Sequence, residues 1–405
     1  MRPALALVLL AGCASVPGAP ADREEAMILE QIRIAEIPAP TGKEEARGRY
    51  VAEEFRKAGL SGVSTDEVGN VLGWKRGSGK RVIALVAHLD TVHPDPAIRI
   101  ERRGNVLKGP GACDDAGGLV AMLEIARRWD RPHAADLLFV ASVGEEGRGD
   151  LRGARHLVKS VKIDLFVALD GADPGRIVNG GIGSRRWRIG YVSEGGGGHS
   201  WGDFGRASPA HALGRLVAKL ARYDAPRDPK TTFNVGVISA ADDDGRVMGT
   251  SVNTIAPGAV AQVDLRSAGK AELEAIEAHL LRSAEEALAE ENAWTKERGR
   301  NVPVRLVKEL VGDRPLGGTP EDHELVRVAR EELEKAGFAV RLGSSSTDAN
   351  AAMAAGIPAV CLSYGGRGSG IHGTDETHDT TGRLRELDAV RQALFRLAGD
   401  GNPSR

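Results

Sequence analysis

A buried strand that ends in His-x-Asp constrains this chain more than any other feature. Arg81–Ala87 is an apolar run that stops abruptly at His88-Leu-Asp90. Such a run predicts a strand inside a sheet, which delivers an imidazole and a carboxylate to the strand's carboxyl end. Open α/β sheets place their chemistry at that edge. A neutral imidazole is a good zinc ligand, and a carboxylate two residues later can fix its tautomer. For the segment Val86–Asp90 alone, a structural histidine is the commoner interpretation.

Acidic and histidine residues recur where later apolar strands and glycine-rich turns end. The series after this first pair consists of Asp114, Asp115, Glu145, Glu146, Asp170, His372 and Glu376. Two imidazoles and a surplus of carboxylates suit two divalent ions that share a bridging carboxylate. Any single carboxylate could be a solvated surface charge, but the recurrence at consecutive strand ends favours a metal centre. In the adjacent Glu145 and Glu146, one side chain could bind an ion while the other stays free as a base.

The order of predicted elements indicates an α/β fold with an insertion. Strands alternate with helices up to Asp170, which predicts a mostly parallel sheet with helices on both faces. The pattern then changes to one strand, a helix, two strands and a long helix, which predicts an inserted α+β domain. The alternation resumes with a strand at Val302–Val311. The predicted catalytic domain therefore has two segments, 24–182 and 300–405, and the insertion occupies 183–299.

Composition excludes some classes of function. The chain of 405 residues exceeds the usual size of a single hydrophobic core, so two domains are expected. Its formal net charge of −2 and its pI near 6.6 offer no basic surface for nucleic acid. Aromatic residues make up 4% of the chain, which argues against a platform for stacking bases. Beyond residue 23, only Cys113 and Cys361 remain, which is too few for a disulfide framework.

The first residues differ from the rest of the chain. Ala4–Ala11 is an apolar run too short to span a bilayer, but it suits the hydrophobic region of a signal peptide. Leu10-Ala-Gly-Cys13 is similar to the bacterial lipobox, whose cysteine becomes lipidated. We therefore expect a signal and tether at 1–23 and a lipid-anchored protein of the cell envelope, in the periplasm or at the outer membrane. A mis-assigned start codon is the alternative, and the protein would then be cytoplasmic.

Taken together, the motifs resemble the di-zinc metallopeptidase superfamily of peptidase T, glutamate carboxypeptidase, aminoacylase and succinyl-diaminopimelate desuccinylase, and most closely the peptidase T branch. The matching segments are Ile37-Pro-Ala-Pro-Thr-Gly-Lys-Glu44, AHLDTV, GACDDAGG, VGEEG with Arg152-Gly-Ala154, ALDG, GGGGHS, Ser251-Val-Asn253, Val263-Asp-Leu-Arg266, Ser346-Thr-Asp348 with Gly356-Ile-Pro358, and Gly370-Ile-His-Gly-Thr-Asp-Glu376. They cover nearly the whole chain. The resemblance implies a zinc-peptidase-like fold whose inserted domain is both a lid and the interface of a homodimer.

The resemblance also implies roles for individual residues. Two divalent ions, zinc in the first place with cobalt or manganese as alternatives, would be held by His88, Asp114, Glu146, Asp170 and His372. Asp114 would bridge the ions, with His88 and Asp170 on one of them and Glu146 and His372 on the other. Asp90 would orient His88. Glu145 would be the general base, which takes a proton from the attacking water and returns it to the leaving amine.

Three residues of the insertion match lid residues of the superfamily. His199 would reach the active site of the partner subunit and donate to the oxyanion. A glycine-rich loop does let the backbone approach a ligand closely, although a helix-capping histidine beside Ser200 is the alternative. Asn253 and Arg266 would help to hold the substrate's backbone and carboxylate, a task that suits arginine.

The sequence departs from the superfamily's pattern in two places. Ala116 stands where a lysine usually follows the two aspartates, so one electrostatic neighbour of the metal site is missing. Cys113 stands where a small residue is usual; a buried, inert thiol is a better interpretation than a thiolate ligand. By analogy, an aspartate rather than a glutamate at Asp170 favours short peptides as substrates.

We therefore predict a metal-dependent hydrolase of amide bonds in short peptides, an exopeptidase of aminopeptidase or dipeptidase type. An N-acyl amino acid amidohydrolase or a carboxypeptidase is the first alternative. A non-catalytic, lipid-anchored peptide-binding protein is the second, but such a protein would have no chemical need for a free base beside a metal ligand.

Overall fold

A computed structural model describes residues 20–241 and 251–399. In this part of the chain the helices are α1 (Pro20–Glu36), α2 (Glu45–Lys57), α3 (Ala116–Arg127), α4 (Arg152–Ser160), α5 (Pro209–Leu220), α6 (Lys270–Glu297), α7 (Glu324–Lys335), α8 (Ala349–Ala354) and α9 (Arg383–Ala398). The strands are β1 (Ser61–Thr65), β2 (Val71–Lys75), β3 (Val82–His88), β4 (Glu101–Arg103), β5 (Val106–Lys108), β6 (Asp136–Ser142), β7 (Leu165–Leu169), β8 (Arg176–Gly181), β9 (Gly183–Ser193), β10 (Gly198–His199), β11 (Thr231–Ala241), β12 (Thr254–Ile255), β13 (Gly258–Ser267), β14 (Val304–Arg314), β15 (Gly317–Gly318), β16 (Arg341–Ser345), β17 (Ala359–Leu362), β18 (Arg367–Ser369) and β19 (Thr377–Asp379).

The main sheet has nine strands in the order β1-β2-β6-β3-β7-β17-β8-β15, and β16 pairs with β8. Its central strands β6, β3, β7 and β17 are parallel to one another. In β3, Ile83 and Leu85 pack into one hydrophobic cluster, while Ala84 and Val86 pack into a second. A strand that is buried on both faces must be apolar at every position, which is why these strands occur as unbroken hydrophobic runs. The predicted mostly parallel α/β sheet is therefore confirmed.

A second sheet, which we call the inserted sheet, consists of β11, β13, β9 and β14 in that order. All of its pairings are antiparallel. Helices α5 and α6 supply Leu216 and Leu280 to a hydrophobic cluster that also contains Tyr191 and Leu265 of the sheet. Because the helices cover a separate antiparallel sheet, this region forms its own α+β layer.

The predicted return to the main sheet at Val302–Val311 is wrong. β14 pairs with β9 along its length and forms an edge of the inserted sheet. Charged residues such as Arg305, Lys308 and Glu309 interrupt the strand, so it does not suit the centre of the main sheet, and its pairing with β9 decides which sheet it joins. Strands at the centre of a parallel sheet are nearly continuous apolar runs, whereas edge strands tolerate charge. The chain re-enters the main sheet only at β15.

The N-terminal helix begins within the segment 1–23 that is predicted to be signal and tether. α1 starts at Pro20, a residue favoured in the first helical turn, and so includes residues 20–23 that were assigned to the tether. The predicted signal segment and Cys13 lie outside the described residues. None of the helices in the described ranges combines the length and apolarity that crossing a bilayer requires.

A buried arginine fixes the end of β3, where the predicted site begins. Arg47 of α2 is fully buried, and its guanidinium donates to the carbonyl of Leu89 at 2.7 Å. It also donates to the carbonyls of Ile37 at 2.9 Å and Ala35 at 3.2 Å. These bonds connect the segment after β3 with the loop between α1 and α2. Buried carbonyls that lose such a donor are costly.

Replacing Arg47 should therefore destabilise the fold. For Arg47→Met we expect the free energy of unfolding to fall by about 3 kcal/mol, because buried backbone carbonyls would lose their donors. Arg49→Met, on an exposed position of the same helix, should change it by less than about 0.5 kcal/mol. Urea unfolding monitored by circular dichroism gives both values. A loss below about 1 kcal/mol for Arg47→Met would contradict this role.

Candidate metal centre

Three parallel strands end at one edge of the main sheet and deliver polar residues there. His88 is the last residue of β3, Asp170 follows β7, and Glu145 and Glu146 lie in the turn after β6. These strands are neighbours in the sheet order. Because parallel strands share the direction of their carboxyl ends, residues distant in sequence meet at this edge.

Asp90 organises this edge through backbone donors. Its Oδ1 accepts from the backbone N–H of Glu145 at 2.9 Å, and its Oδ2 accepts from that of Glu146 at 3.0 Å. Thr41 also donates its hydroxyl to Oδ2 at 2.9 Å. The Nδ1 of His88 lies 3.1 Å from the carbonyl oxygen of Asp90 and 3.5 Å from its Oδ1. The backbone and the side chain of Asp90 therefore both face the imidazole, and the carboxylate also shapes the turn that carries the two glutamates.

The carboxylate of Asp114 lies between two imidazoles. Its Oδ1 is 2.9 Å from the Nε2 of His88, and its Oδ2 is 3.1 Å from the Nε2 of His372. The same Nε2 of His372 is 2.8 Å from the Oε1 of Glu146. His372 itself has a left-handed backbone with φ of 68°. Residues other than glycine adopt this conformation rarely, and those that do are concentrated at functional sites. The structure thus brings four of the five predicted ligands into direct contact.

Asp170, the fifth predicted ligand, lies in a neighbouring group of possible ligands. Ligand atoms of His88, Asp115 and Asp170 all lie within 4.8 Å of one another, as do those of His88, Asp114 and Glu146. Asp115 also has a structural task, since it caps α3 by accepting from Gly118 and accepts from the backbone N–H of His88 at 3.0 Å. The two groups share His88.

The electrostatics of this cluster call for positive charge. Hydrogen bonds to Asp114 and Glu146 raise the pKa of His372 to about 10. Burial raises the pKa of Asp170 to about 7, and the negative charge of Asp114 acts in the same direction. Imidazole nitrogens and carboxylate oxygens at these separations are the donor set that divalent transition metals take. The residues present therefore fit a metal centre, and which ligand binds which ion stays a prediction.

Glu145 lies beside the cluster. Among the described residues, its carboxylate forms no hydrogen bond with either imidazole and binds Arg314 instead. Arg314 donates from Nη1 to its Oε1 at 3.0 Å and from Nη2 to its backbone carbonyl. Burial raises the pKa of Glu145 well above its usual range, although the charge of Arg314 acts in the opposite direction. A buried carboxylate with a raised pKa next to a metal site has the properties of a general base.

A cavity of about 380 Å³ opens onto this cluster. Its lining includes Asp114, Glu145, Glu146, Asp170 and His372 and four arginines, Arg176, Arg186, Arg266 and Arg314. The carboxylate of Asp264 accepts hydrogen bonds from the Nε of Arg186 at 3.2 Å and from the Nε of Arg266 at 2.6 Å, so it orients two arginines. The cavity volume lies in the range of small-molecule sites.

The structure separates the three predicted lid residues. Arg266 lines the cavity, whereas His199 and Asn253 are exposed and are absent from its described lining. His199 pairs with Thr254 in the short ribbon of β10 and β12, and its Nδ1 accepts from the backbone N–H of Trp201 at 3.2 Å. Their predicted roles in a partner subunit's site stay predictions.

Sequence reasoning missed Arg186 and Arg314. The pair Arg185-Arg186 within an apolar strand was a usable signal, since a charged residue inside a strand faces either solvent or a polar site. Arg314 offered no such signal because its segment was assigned to the wrong sheet. The expected burial of Cys113 is confirmed, since its side chain is fully buried and its Sγ lies 2.8 Å from the hydroxyl of Tyr364. Both Cys113 and Cys361 are free thiols.

The chain is similar to known hydrolases along most of its length. It is 27% identical over 373 residues to a LysW-lysine hydrolase of Deinococcus radiodurans, a match that covers 90% of this chain and 94% of that protein. It is 38% identical over 124 residues to a protein of Pyrococcus abyssi named as a LysW-lysine/LysW-ornithine hydrolase, but this match spans only 34% of that relative and 31% of this chain.

Solved structures show the same fold. A tripeptidase of Staphylococcus aureus superposes with a TM-score of 0.74 at 20% identity, covering 93% of this chain and 98% of the other. The aminopeptidase PepT of Bacillus cereus superposes with a TM-score of 0.72 at 22% identity, covering 93% and 99%. The sequence profile described as "Peptidase family M20/M25/M40" matches residues 84–399. Since that match covers more than half of the chain and includes the whole metal-centre edge, the protein is a hydrolase of peptidase family M20/M25/M40.

Proposed function

We propose that this protein cleaves the amide bond of short peptides as a two-metal exopeptidase. One observation carries the proposal: the two oxygens of Asp114 face two different imidazoles, and a buried glutamate lies beside them without occupying a ligand position. A bridging carboxylate with one histidine on each side is the arrangement that two neighbouring ions require. The cavity volume supports a small substrate rather than a folded protein.

The proposed centre assigns His88, Asp114 and Asp170 to one ion and Asp114, Glu146 and His372 to the other. Histidine and carboxylate ligands favour zinc, with cobalt or manganese as alternatives. When bound, the ions would lower the pKa of a water molecule and polarise the scissile carbonyl. The Asp90 carboxylate accepts from the backbone N–H of Glu146 and so holds this turn against the proposed centre.

Glu145 is the proposed general base. Because Arg314 binds its Oε1, the other carboxylate oxygen remains to accept a proton from the attacking water. The same oxygen would then deliver that proton to the leaving amine. Arg266, oriented by Asp264 at the cavity wall, would bind the substrate's carboxylate. Asn253 is proposed to hold the substrate's backbone.

A second candidate is an N-acyl amino acid amidohydrolase. The curated relatives favour it, because the full-length match is a LysW-lysine hydrolase and a further match is the succinyl-diaminopimelate desuccinylase of Corynebacterium glutamicum, at 27% identity over 203 residues. A carboxypeptidase is the remaining enzymatic alternative. A binding protein without catalysis is disfavoured, since both glutamates of the Glu145–Glu146 pair remain buried at the site.

We further propose that the active unit is a homodimer in which His199 completes the partner's site. In one chain His199 is exposed and outside the described cavity lining. Its neighbours Trp201 and Phe204 are 88% and 65% exposed, and Val252 beside Asn253 is fully exposed. Exposed apolar side chains in the segments that flank one ribbon are typical of an interaction surface. Anchoring to the cell envelope through Cys13 is a proposal that rests on the sequence alone.

Metal-reconstituted protein should hydrolyse free di- and tripeptides faster than their N-acylated forms, and a chelator should abolish the reaction.

Glu145→Ala should keep two bound ions per chain and lose turnover by several orders of magnitude, whereas His88→Ala should lose metal. Metal analysis and a substrate panel measure both. Fewer than one ion per chain with no hydrolysis would refute the function, and preference for acylated substrates would select the amidohydrolase.

Glu376 should control metal affinity although it is not a proposed ligand. Its Oε1 accepts from the backbone N–H groups of Cys113 at 2.6 Å and Asp114 at 2.9 Å, so it holds the loop that presents the bridging carboxylate. Residues that orient a ligand typically change metal affinity by about 10- to 100-fold when removed. We expect a weakening of that size for Glu376→Ala in competition with a chromophoric chelator. The exposed neighbour provides the control, and an equal loss in Asp375→Ala would argue against this role.

Mixing two inactive variants tests whether His199 acts on the partner. In a heterodimer of His199→Ala and Glu145→Ala chains, one site would combine an intact base with an intact partner histidine. Activity should therefore appear after the subunits exchange, although each variant alone is inactive. If mixed chains form heterodimers yet stay inactive, His199 does not act across the interface.

A further inference from the structure

Arg314 stands where the inserted sheet joins the main sheet. It is the last residue of β14, and β15 of the main sheet begins three residues later at Gly317. Its side chain is 6% exposed and that of Glu145 is 4% exposed. Within the described residues, Glu145 is the carboxylate whose oxygen lies within 4 Å of the Arg314 guanidinium. The inserted sheet therefore contacts the turn after β6 through this buried ion pair, and Arg186 of β9 also donates to the carbonyl of Gly147 in that turn.

The geometry of this pair restricts Glu145 strongly. One guanidinium nitrogen binds the carboxylate and the other binds the backbone carbonyl of the same residue. The hydroxyl of Ser346 accepts a further hydrogen bond from Nη1 at 3.0 Å. A planar guanidinium that binds two groups at once determines an orientation, which an ammonium group does not. Removing one member of a buried pair also leaves the other charge uncompensated.

Asn350 fixes the point at which the inserted sheet is attached. Its Nδ2 donates to the carbonyl of Ile182 at 2.9 Å and to the carbonyl of Pro315 at 2.9 Å. Ile182 lies between β8 and β9, and Pro315 lies between β14 and β15, so one carboxamide ties both chain crossings together. Asn350 is fully buried. A Cβ atom at Gly181 would come within 2.9 Å of this carboxamide, so the crossing is closely packed.

We propose that Arg314 is a positioning residue that couples the inserted sheet to the general base, and that Asn350 holds the crossing from which Arg314 extends. The inference rests on the proposed function, because it assigns Glu145 the role of base. Arg314 acts through Glu145 and leaves the ions in place. A displacement of the inserted sheet at this crossing therefore changes the aim of the carboxylate rather than the composition of the metal centre.

The kinetic test compares three substitutions of Arg314 with one control substitution in the same strand. Arg314→Met should lower kcat by about 10- to 100-fold, the range for residues that orient a functional group, with KM changed less than about threefold. Arg314→Lys should be intermediate because it keeps the charge but loses the planar fork. For Arg314→Ala, added guanidinium ions should restore part of kcat. Arg305→Met, an exposed position of the same strand, is the control.

Three outcomes would overturn the proposal. A raised KM with unchanged kcat would make Arg314 a substrate ligand. Loss of bound metal in Arg314→Lys would make it part of the metal centre's scaffold. Wild-type kcat in all three variants would leave it without a role in catalysis. Inactivity of the wild-type protein toward every substrate is a separate result, since it refutes the proposed function instead.

A structural measurement tests the same inference without any turnover. In crystals of the Arg314→Ala chain, the Glu145 carboxylate should leave its wild-type position while Glu146 and His372 stay in place. An unmoved Glu145 would overturn the proposal. Asn350→Ala should reduce kcat in the same direction, and adding it to Arg314→Ala should have little further effect, because coupled residues are not additive. Full additivity would show that Asn350 acts independently of Arg314.

Discussion

A largely buried carboxylate with an imidazole on each side is the interaction on which the rest of this structure depends. Asp114 is surrounded by further acidic groups, and a buried charge is stable only when it is paired or binds a cation. His88 and His372 supply the partners, although they lie far apart in the sequence. The sheet edge, the cap formed by Asp115 and the Glu376 carboxylate, which accepts from the backbone N–H of Asp114, all hold this carboxylate in place.

The inserted sheet also shapes the site, because it contributes charged side chains to a cavity that lies at the edge of the main sheet. Asp264 orients two cavity arginines, and Arg314 holds Glu145. Most of the basic cavity wall comes from the inserted sheet, namely Arg186, Arg266 and Arg314, whereas the acidic cluster lies at the edge of the main sheet. The fourth arginine, Arg176, lies in β8 of the main sheet. A substrate that carries a carboxylate would be held by the wall while its amide bond lies at the cluster.

The comparisons and the geometry address different levels of function. Likeness to peptidase structures along nearly the whole chain establishes the fold, whereas their identity of 20–22% says nothing of the substrate. A curated relative matched along 94% of its length is named a LysW-lysine hydrolase, and the cavity arginines suit any substrate with a carboxylate. Peptide and acyl-amino-acid substrates share that group, which is why a direct comparison of free and acylated substrates decides between them.

By itself the sequence determined the central strands and the residues at their ends. A strand buried on both faces must be continuously apolar, so a polar residue that ends such a run, as at His88 or Asp170, marks the functional edge. Only the tertiary structure decided the course of β14, because a strand with Arg305, Lys308 and Glu309 fits an edge in either sheet and local pattern carries no pairing information. The contact between Arg314 and Glu145 followed from that pairing. A long-range ion pair depends on where two sheets meet, and no local signal in either segment records it.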